Sequence, residues 1–503
     1  MKVIVLGAGQ DIGRSCVVVT IQNRSIMFDC GMHMGHSDQR RFPDFKLLGP
    51  GPYTGSIDCI IITHFHMDHC GGLPYFTEKC KYTGPIYMTH PTKAVLPIIL
   101  QDYCKVYNDR DDYTKFKYPT YNEDDIKECM KKIIPIAIEE TVEIEKDFTI
   151  TPYYAGHVLG AAMFHVKVGD ESVVYTGDYN MSPDRHLDAA WMPKVYPSLL
   201  ITESTYALLV RDCRREKERD FIESVVQCVK NGGKVLIPVF ALGRAHELCL
   251  LLDTHWDKIG LRTPIYTSAT LTHKANDIYK QFIDYTHEHI RNTMLKRNLF
   301  DFQHVKQFES NFANLDEPMV LFSSPGMLHS GPSLSIFKKW CGDPKNMVIF
   351  PGYCVRGTIG EKVLNGAKKI EVGGIVYPVR MKVKNMPFSA HADQKGILSL
   401  VQQCEPNNIV LVHGDIQRMK RLKQILETSL SIPTLHPPIG ATINIERPKH
   451  TTASITKEAL KSLKSSQNEE VEGVLEGTMV KANGRPHLVI SSCSKNVFYS
   501  EEL

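Results

Sequence analysis

The sequence predicts an α/β protein in which one strand-rich domain is interrupted by a second domain of alternating helices and strands. Three observations carry that prediction. The first two hundred residues read as β-branched or alternating runs separated by Gly- and Asp-rich turns; from about Thr205 to about Asn385 helix-like stretches alternate with short buried strands; and strand-and-helix units return after Asn385. At 503 residues the chain is long enough for two or three domains.

The strands of the first region fall at residues 3–6, 16–21, 25–28, 59–63, 86–89, 148–154, 163–168 and 172–175, with one longer helix at 124–132. In the second region, helices at 218–230, 243–255 and 274–282 alternate with strands at 234–238, 264–267, 319–323 and 346–350, which is the texture of a parallel sheet. The third region gives a helix at 394–403, a strand at 408–412 and a helix at 418–426. Residues 446–469 are rich in Lys, Thr, Ser and Glu and read as a linker, and 473–498 have weak strand character.

Composition bounds the function. Hydrophobic residues make up 43% and charged residues 23%, as in ordinary soluble globular proteins. A formal charge of +3 gives no case for a nucleic-acid partner, so any basic groove must come from local arrangement. No apolar run is long enough to span a bilayer, and the N-terminus enters a strand at once, so no membrane contact and no secretory signal are expected. The 14 cysteines are scattered without a Cys-x-x-Cys pair and read as reduced thiols of a nuclear or cytosolic protein.

Gly7-Ala8-Gly9-Gln10-Asp11-Ile12-Gly13, with Asp29 downstream, superficially suggests a dinucleotide fingerprint. The spacing is Gly-x-Gly-x-x-x-Gly, however, and the next segment is a strand rather than a helix whose N-terminus could hold a pyrophosphate. The segment reads as a tight turn. Gly243-Arg244-Ala245-His246-Glu247 is likewise no zincin motif, since no second His stands at the required spacing.

The strongest chemical signal is His64-Phe65-His66-Met67-Asp68-His69, directly after the apolar run 59–63. Residues two apart in an extended chain point the same way, so His64 and His66 can grip one cation. Asp68 and His69 face a neighbouring position as the chain turns at Gly71-Gly72. Three imidazoles and a carboxylate suit zinc. His157, Asp178 and His413 share one placement, a polar residue at a strand end beside a glycine.

The His-x-His-x-Asp-His run, with Asp29, His157 and Asp178, resembles the metallo-β-lactamase superfamily. Glu203 in Thr202-Glu203-Ser204-Thr205, His391 in Ser389-Ala390-His391-Ala392-Asp393, and His413 narrow the resemblance to its β-CASP nucleases over roughly the first 445 residues. The resemblance implies an αββα sandwich with an inserted cap: hydrolase residues 1–205, cap 206–385, hydrolase again 386–445, then a linker and short C-terminal segment at 446–503. It implies two zinc ions, one on His64, His66, His157 and Asp178, the other on Asp68, His69, Asp178 and His413. Asp29 would support a ligand, His391 would protonate the leaving 3′-oxygen, and Glu203 would orient His391 and favour its protonated form. Such a centre ionises water near neutral pH and hydrolyses phosphodiesters.

The resemblance further implies a single-stranded RNA substrate and membership of a multi-subunit nuclear 3′-end-processing assembly, beside a catalytically degenerate paralogue and a scaffold subunit. The nucleus, with some cytoplasmic protein, is the expected location. Arg244, Tyr353 and Arg356 are candidate RNA contacts, against a plain loop reading of the same residues. A DNA-repair nuclease, a small-molecule hydrolase and a metal-free scaffold subunit are the alternatives. Departures from the family are a longer, more charged stretch at 105–120 and a short tail after Glu446.

Overall fold

The computed structural model describes residues 1–445 except 37, 109–120, 210–213, 240–242, 268–276, 295–301, 353 and 389, together with the strands Thr452–Ile455, Leu475–Ala482 and Arg485–Cys493. Residues 1–445 form one compact unit and 446–503 a second.

Two seven-stranded sheets make the hydrolase sandwich. One runs in the order Thr442–Asn444, Lys2–Gly7, Cys16–Ile21, Arg24–Phe28, Cys59–Ile61, Ile86–Thr89 and Ile133–Ile136. The other runs Thr434–Leu435, Ile409–Val412, Leu199–Glu203, Glu171–Tyr175, Ala162–Val168, Phe148–Tyr154 and Val142–Glu145. Alternation explains their inner faces: Val17, Val19, Phe28 and Ile61 of the first sheet meet Phe164, Val166, Tyr175 and Val412 of the second in one buried layer. The outward residues of the first sheet pack under the helix His90–Asn108, through Leu96 and Leu100. Those of the second pack under the helices Gln394–Cys404 and Ile416–Leu430, through Leu400, Val401, Leu422 and Leu426. This is the expected αββα layering.

The cap is a six-stranded sheet in the order Val305–Gln307, Ile265–Thr267, Val320–Ser323, Val235–Pro238, Met347–Phe350 and Lys382–Asn385, every pairing parallel. Leu236, Leu321 and Val348 enter one apolar cluster and Val235, Val320 and Ile349 another, so both faces are covered, as parallel sheets require. The second unit is a three-stranded sheet in the order Thr452–Ile455, Arg485–Cys493, Leu475–Ala482. Its first strand falls inside the stretch read as a linker.

The helix His90–Asn108 was not expected; Pro91 and Pro97 mask its helical period. The glycine-rich segment 7–13 is the turn between two antiparallel strands, and a Cβ on Gly7 would lie 1.8 Å from the Arg14 carbonyl oxygen. Most of the charged stretch 105–120 lies outside the described residues. Among the described residues no helix is long and apolar enough to cross a membrane.

Candidate metal centre

The strands Arg24–Phe28, Cys59–Ile61, Phe148–Tyr154, Glu171–Tyr175, Leu199–Glu203 and Ile409–Val412 end at one edge of the sandwich. Just past those ends, or at the last residue in the case of Glu203, stand Asp29, His64, His157, Asp178, Glu203 and His413. His66 caps the short helix Met67–Cys70, which carries Asp68 and His69. Ligand atoms of His64, His66, His157 and Asp178 lie within 4.8 Å of one another, as do those of Asp68, His69 and His413.

Hydrogen bonds on the far side of each ring fix which nitrogen faces the centre. The Nδ1–H of His157 donates to the Ala390 carbonyl at 2.7 Å, which leaves Nε2 as the lone pair. The Nδ1–H of His69 donates to Asp29 Oδ2 at 2.7 Å with the same result. The Thr63 hydroxyl donates to the Asp29 carboxylate at 3.0 Å and so accepts from His64 Nδ1, also at 3.0 Å. Asp29 therefore orients His69 directly and His64 through Thr63.

The lone pairs converge. Nε2 of His64 and Nε2 of His157 each lie 3.1 Å from Nδ1 of His66, and Asp178 Oδ2 stands 3.8 and 3.7 Å from the first two. Ligands about 2.0–2.1 Å from a tetrahedral zinc are separated by roughly 3.3 Å. On the other side His413 Nε2 is 3.3 Å and His69 Nε2 3.8 Å from Asp68 Oδ2. Asp178 reaches both groups: Oδ2 is 3.3 Å from His69 Nε2 and Oδ1 is 3.5 Å from His413 Nδ1. Oδ1 is also buried without a hydrogen-bond partner. An acceptor left so, among converging nitrogen lone pairs, fits a cation.

Burial, with like-charged neighbours, pushes His64 and His157 well below the ordinary histidine value, and burial holds His66 at about 4. Those three rings are neutral and ready as ligands. His69 and His413 are raised: burial opposes their protonation, but Asp178 and further carboxylates outweigh it. Asp178 is depressed, burial being overcome by His413 and His69.

Two backbone features hold the geometry. Asp29 and His413 adopt left-handed conformations at φ 58° and 54°, rare for residues with a Cβ and concentrated at functional sites. The His413 amide donates to the Ala8 carbonyl at 2.7 Å, so the glycine-rich turn steadies a cluster residue.

Beside the cluster, His391 Nδ1 lies 2.7 Å from Glu203 Oε2, and the other oxygen of Glu203 accepts the Tyr179 amide at 2.9 Å. His391 lines a cavity of about 100 Å³ with His66, Asp68, His157, Asp178 and His413. Arg356 is exposed and does not line that cavity. Tyr353 and the side chain of Arg244 lie outside the described residues, as does Ser389. Thr63 and Thr205, whose hydroxyl is 2.9 Å from His413 Nδ1, were not singled out in the sequence; each is a hydroxyl residue beside a cluster residue or strand end, a signal too common to stand out.

An αββα sandwich with an inserted cap and a strand-end His/Asp cluster defines a metallo-β-lactamase-fold hydrolase. A metallo-beta-lactamase superfamily domain model matches residues 18–204, a Beta-Casp domain model residues 245–363, and a Zn-dependent metallo-hydrolase RNA specificity domain model residues 376–437. Integrator complex subunit 11 of Gallus gallus is 55% identical over 447 residues, 88% of this chain and 74% of the relative. The Dictyostelium discoideum homolog is 51% identical over 475 residues, 92% of this chain and 63% of the relative. Cleavage and polyadenylation specificity factor subunit 3-II of Arabidopsis thaliana is 48% identical over 463 residues, 91% of this chain and 75% of the relative. The chain belongs to the Integrator complex subunit 11 family, and is a zinc-dependent RNA metallo-hydrolase.

Proposed function

We propose that this chain is an RNA endonuclease that carries two zinc ions and cuts phosphodiester bonds of single-stranded RNA inside the Integrator complex, in snRNA 3′-end processing and cleavage of nascent transcripts. His64, His66, His157 and Asp178 would hold one ion, and Asp68, His69, Asp178 and His413 the other. Three buried carboxylates, Asp29, Asp178 and Glu203, and the half-buried Asp68 stand at one edge and would balance the charge of two divalent ions. Bound zinc supplies an ionised water near neutral pH and neutralises charge on the phosphate oxygens. The chain's own residues do the rest. Asp29 and Thr63 keep the ring lone pairs of His69 and His64 aimed inward, and Glu203 anchors His391 so that its remaining ring nitrogen can hand a proton to the leaving 3′-oxygen.

The observation that carries this reading is the convergence of seven candidate ligand side chains, from four strand ends and the helix Met67–Cys70, around Asp178. Metal analysis of purified protein tests it. About two zinc ions per chain are expected, with metal-dependent cleavage of single-stranded RNA that Asp68→Ala abolishes. Carefully purified, folded protein without zinc would leave only a scaffold role.

Complex membership and nuclear residence belong to the same proposal, supported by the relatives' names, and pairing with a degenerate paralogue and a scaffold subunit is proposed with them from the family resemblance alone. So do the boundaries 1–205, 206–385, 386–445 and 446–503, and RNA contacts by Arg244, Tyr353 and Arg356. The similarity to the Arabidopsis polyadenylation factor favours a second reading, a pre-mRNA 3′-end-processing endonuclease. Purification from native extract separates the two: co-purifying Integrator subunits support the first, polyadenylation factors the second.

A further inference from the structure

The cavity over the metal cluster, at about 100 Å³, is well below the roughly 300–1,000 Å³ of sites that hold a small molecule. The nucleotides flanking the cut need other space. A second cavity of about 680 Å³ opens beside the first, and Tyr206 and Phe388 line both. Its size falls in the range of small-molecule sites, roughly 300–1,000 Å³.

We infer that this second cavity receives the base of the nucleotide immediately 5′ of the cut, with Tyr206 and Phe388 as its positioning residues. The inference rests on the RNA-endonuclease reading above. The side of the cut follows from His391. That residue serves the leaving 3′-oxygen, which belongs to the upstream nucleotide, and the His391 loop itself builds the cavity through Phe388, Asp393 and Lys395. The Tyr206 ring centre is 5.6 Å from that of His391, so a base stacked there hangs from the sugar whose oxygen is being protonated.

The lining suits a base better than a phosphate. Met181, Pro387 and Phe388 give apolar walls, with Ser182 and Asn385 among the polar groups. Of the charged residues, Arg214 is paired with Asp184 at 3.2 Å and with Glu247, and the Asp393 carboxylate accepts the Gly396 amide at 2.8 Å. Arg214, Lys217 and Lys395 face Asp184, Asp220, Glu247 and Asp393, a balance of one net negative charge that would repel phosphate and leaves a neutral ring indifferent. Exposed Lys395 remains at the mouth, where a backbone phosphate would pass.

The test uses zinc-loaded full chain and two RNA oligonucleotides, one intact and one abasic at the position 5′ of the cut, assayed with the native protein and Tyr206→Leu. For the native protein, the abasic RNA should raise KM by roughly 5- to 100-fold, the range stacking of one base supplies. In Tyr206→Leu the intact RNA should show a comparable rise in KM, while the abasic RNA adds little more. Tyr206→Phe should restore native behaviour. A residue serving only to support the fold would weaken both RNAs alike, and that result overturns the inference. Equal KM for both RNAs with the native protein also overturns it while leaving the endonuclease reading intact. Failure to bind or cleave either RNA removes the endonuclease reading and the subsite with it.

Discussion

Asp29 touches no second partner idly: one carboxylate steadies His69 directly, His64 through the Thr63 hydroxyl, and the Thr63 amide at 2.8 Å. Loss of such outer partners typically costs 10- to 100-fold in metal affinity. Asp29→Asn should lower zinc affinity by about that factor, read by competition with a chromophoric chelator; unchanged affinity would remove Asp29 from the centre. Glu203 has a different task. Its oxygens are divided between the Tyr179 amide and His391, so Glu203→Gln should leave zinc content intact while reducing kcat. His391→Ala should cost roughly 10²–10⁴ in kcat, the usual contribution of a general acid, again with zinc retained. A variant that lost zinc would show His391 to be a ligand instead. The seven ligand candidates were legible as residues because each is a His or Asp just past an apolar run. Thr63, Thr205 and the Ala390 carbonyl were not, since their roles exist only once distant segments meet.

Between residue and whole lies the loop that follows the strand Arg24–Phe28. Cys30 and Met32 donate to the carbonyls of His69 and Met67, and Ser15 to that of Asp68, which locks this loop to the helix Met67–Cys70. Gly31 sits in the contact, where a Cβ would lie 1.7 Å from the Asp68 carbonyl oxygen. Gly31→Ala must push the Asp68 backbone aside. We expect a loss of about 1–3 kcal/mol in denaturant unfolding, the range for overpacking, together with weakened zinc binding. Wild-type stability and affinity would refute the contact. At this scale the strands read from the sequence fall within a residue or two of those observed, because alternation and β-branching reflect burial directly, but Ile133–Ile136, Val142–Glu145, Leu199–Glu203 and Lys382–Asn385 were not among them. The helix His90–Asn108 was not, because Pro97 interrupts a pattern that tertiary packing of Leu96 and Leu100 restores.

For the molecule as a whole, acid sensitivity follows from histidines that are not among the candidate zinc ligands. Burial holds His33 and His165 at about 4, against roughly 6.5 in an unfolded chain. Between those values the unfolded state binds more protons than the folded one, so stability falls as pH drops from 6.5 towards 4, by up to about 3 kcal/mol for each histidine. Urea midpoints at pH 7 and pH 5 should show the fall, and His165→Leu should flatten it; an unaltered slope would discount the residue.

The distance along the chain between Asp68 and His413, 345 residues, also sets a timetable for synthesis. A ribosome adding about 5–20 residues per second needs roughly 20–70 s to bridge that gap. Throughout that interval the nascent polypeptide displays His64, His66, Asp68 and His69 without the strand that completes their grip, so acquisition of the full metal complement is a late event, coming only after the entire cap has left the exit tunnel.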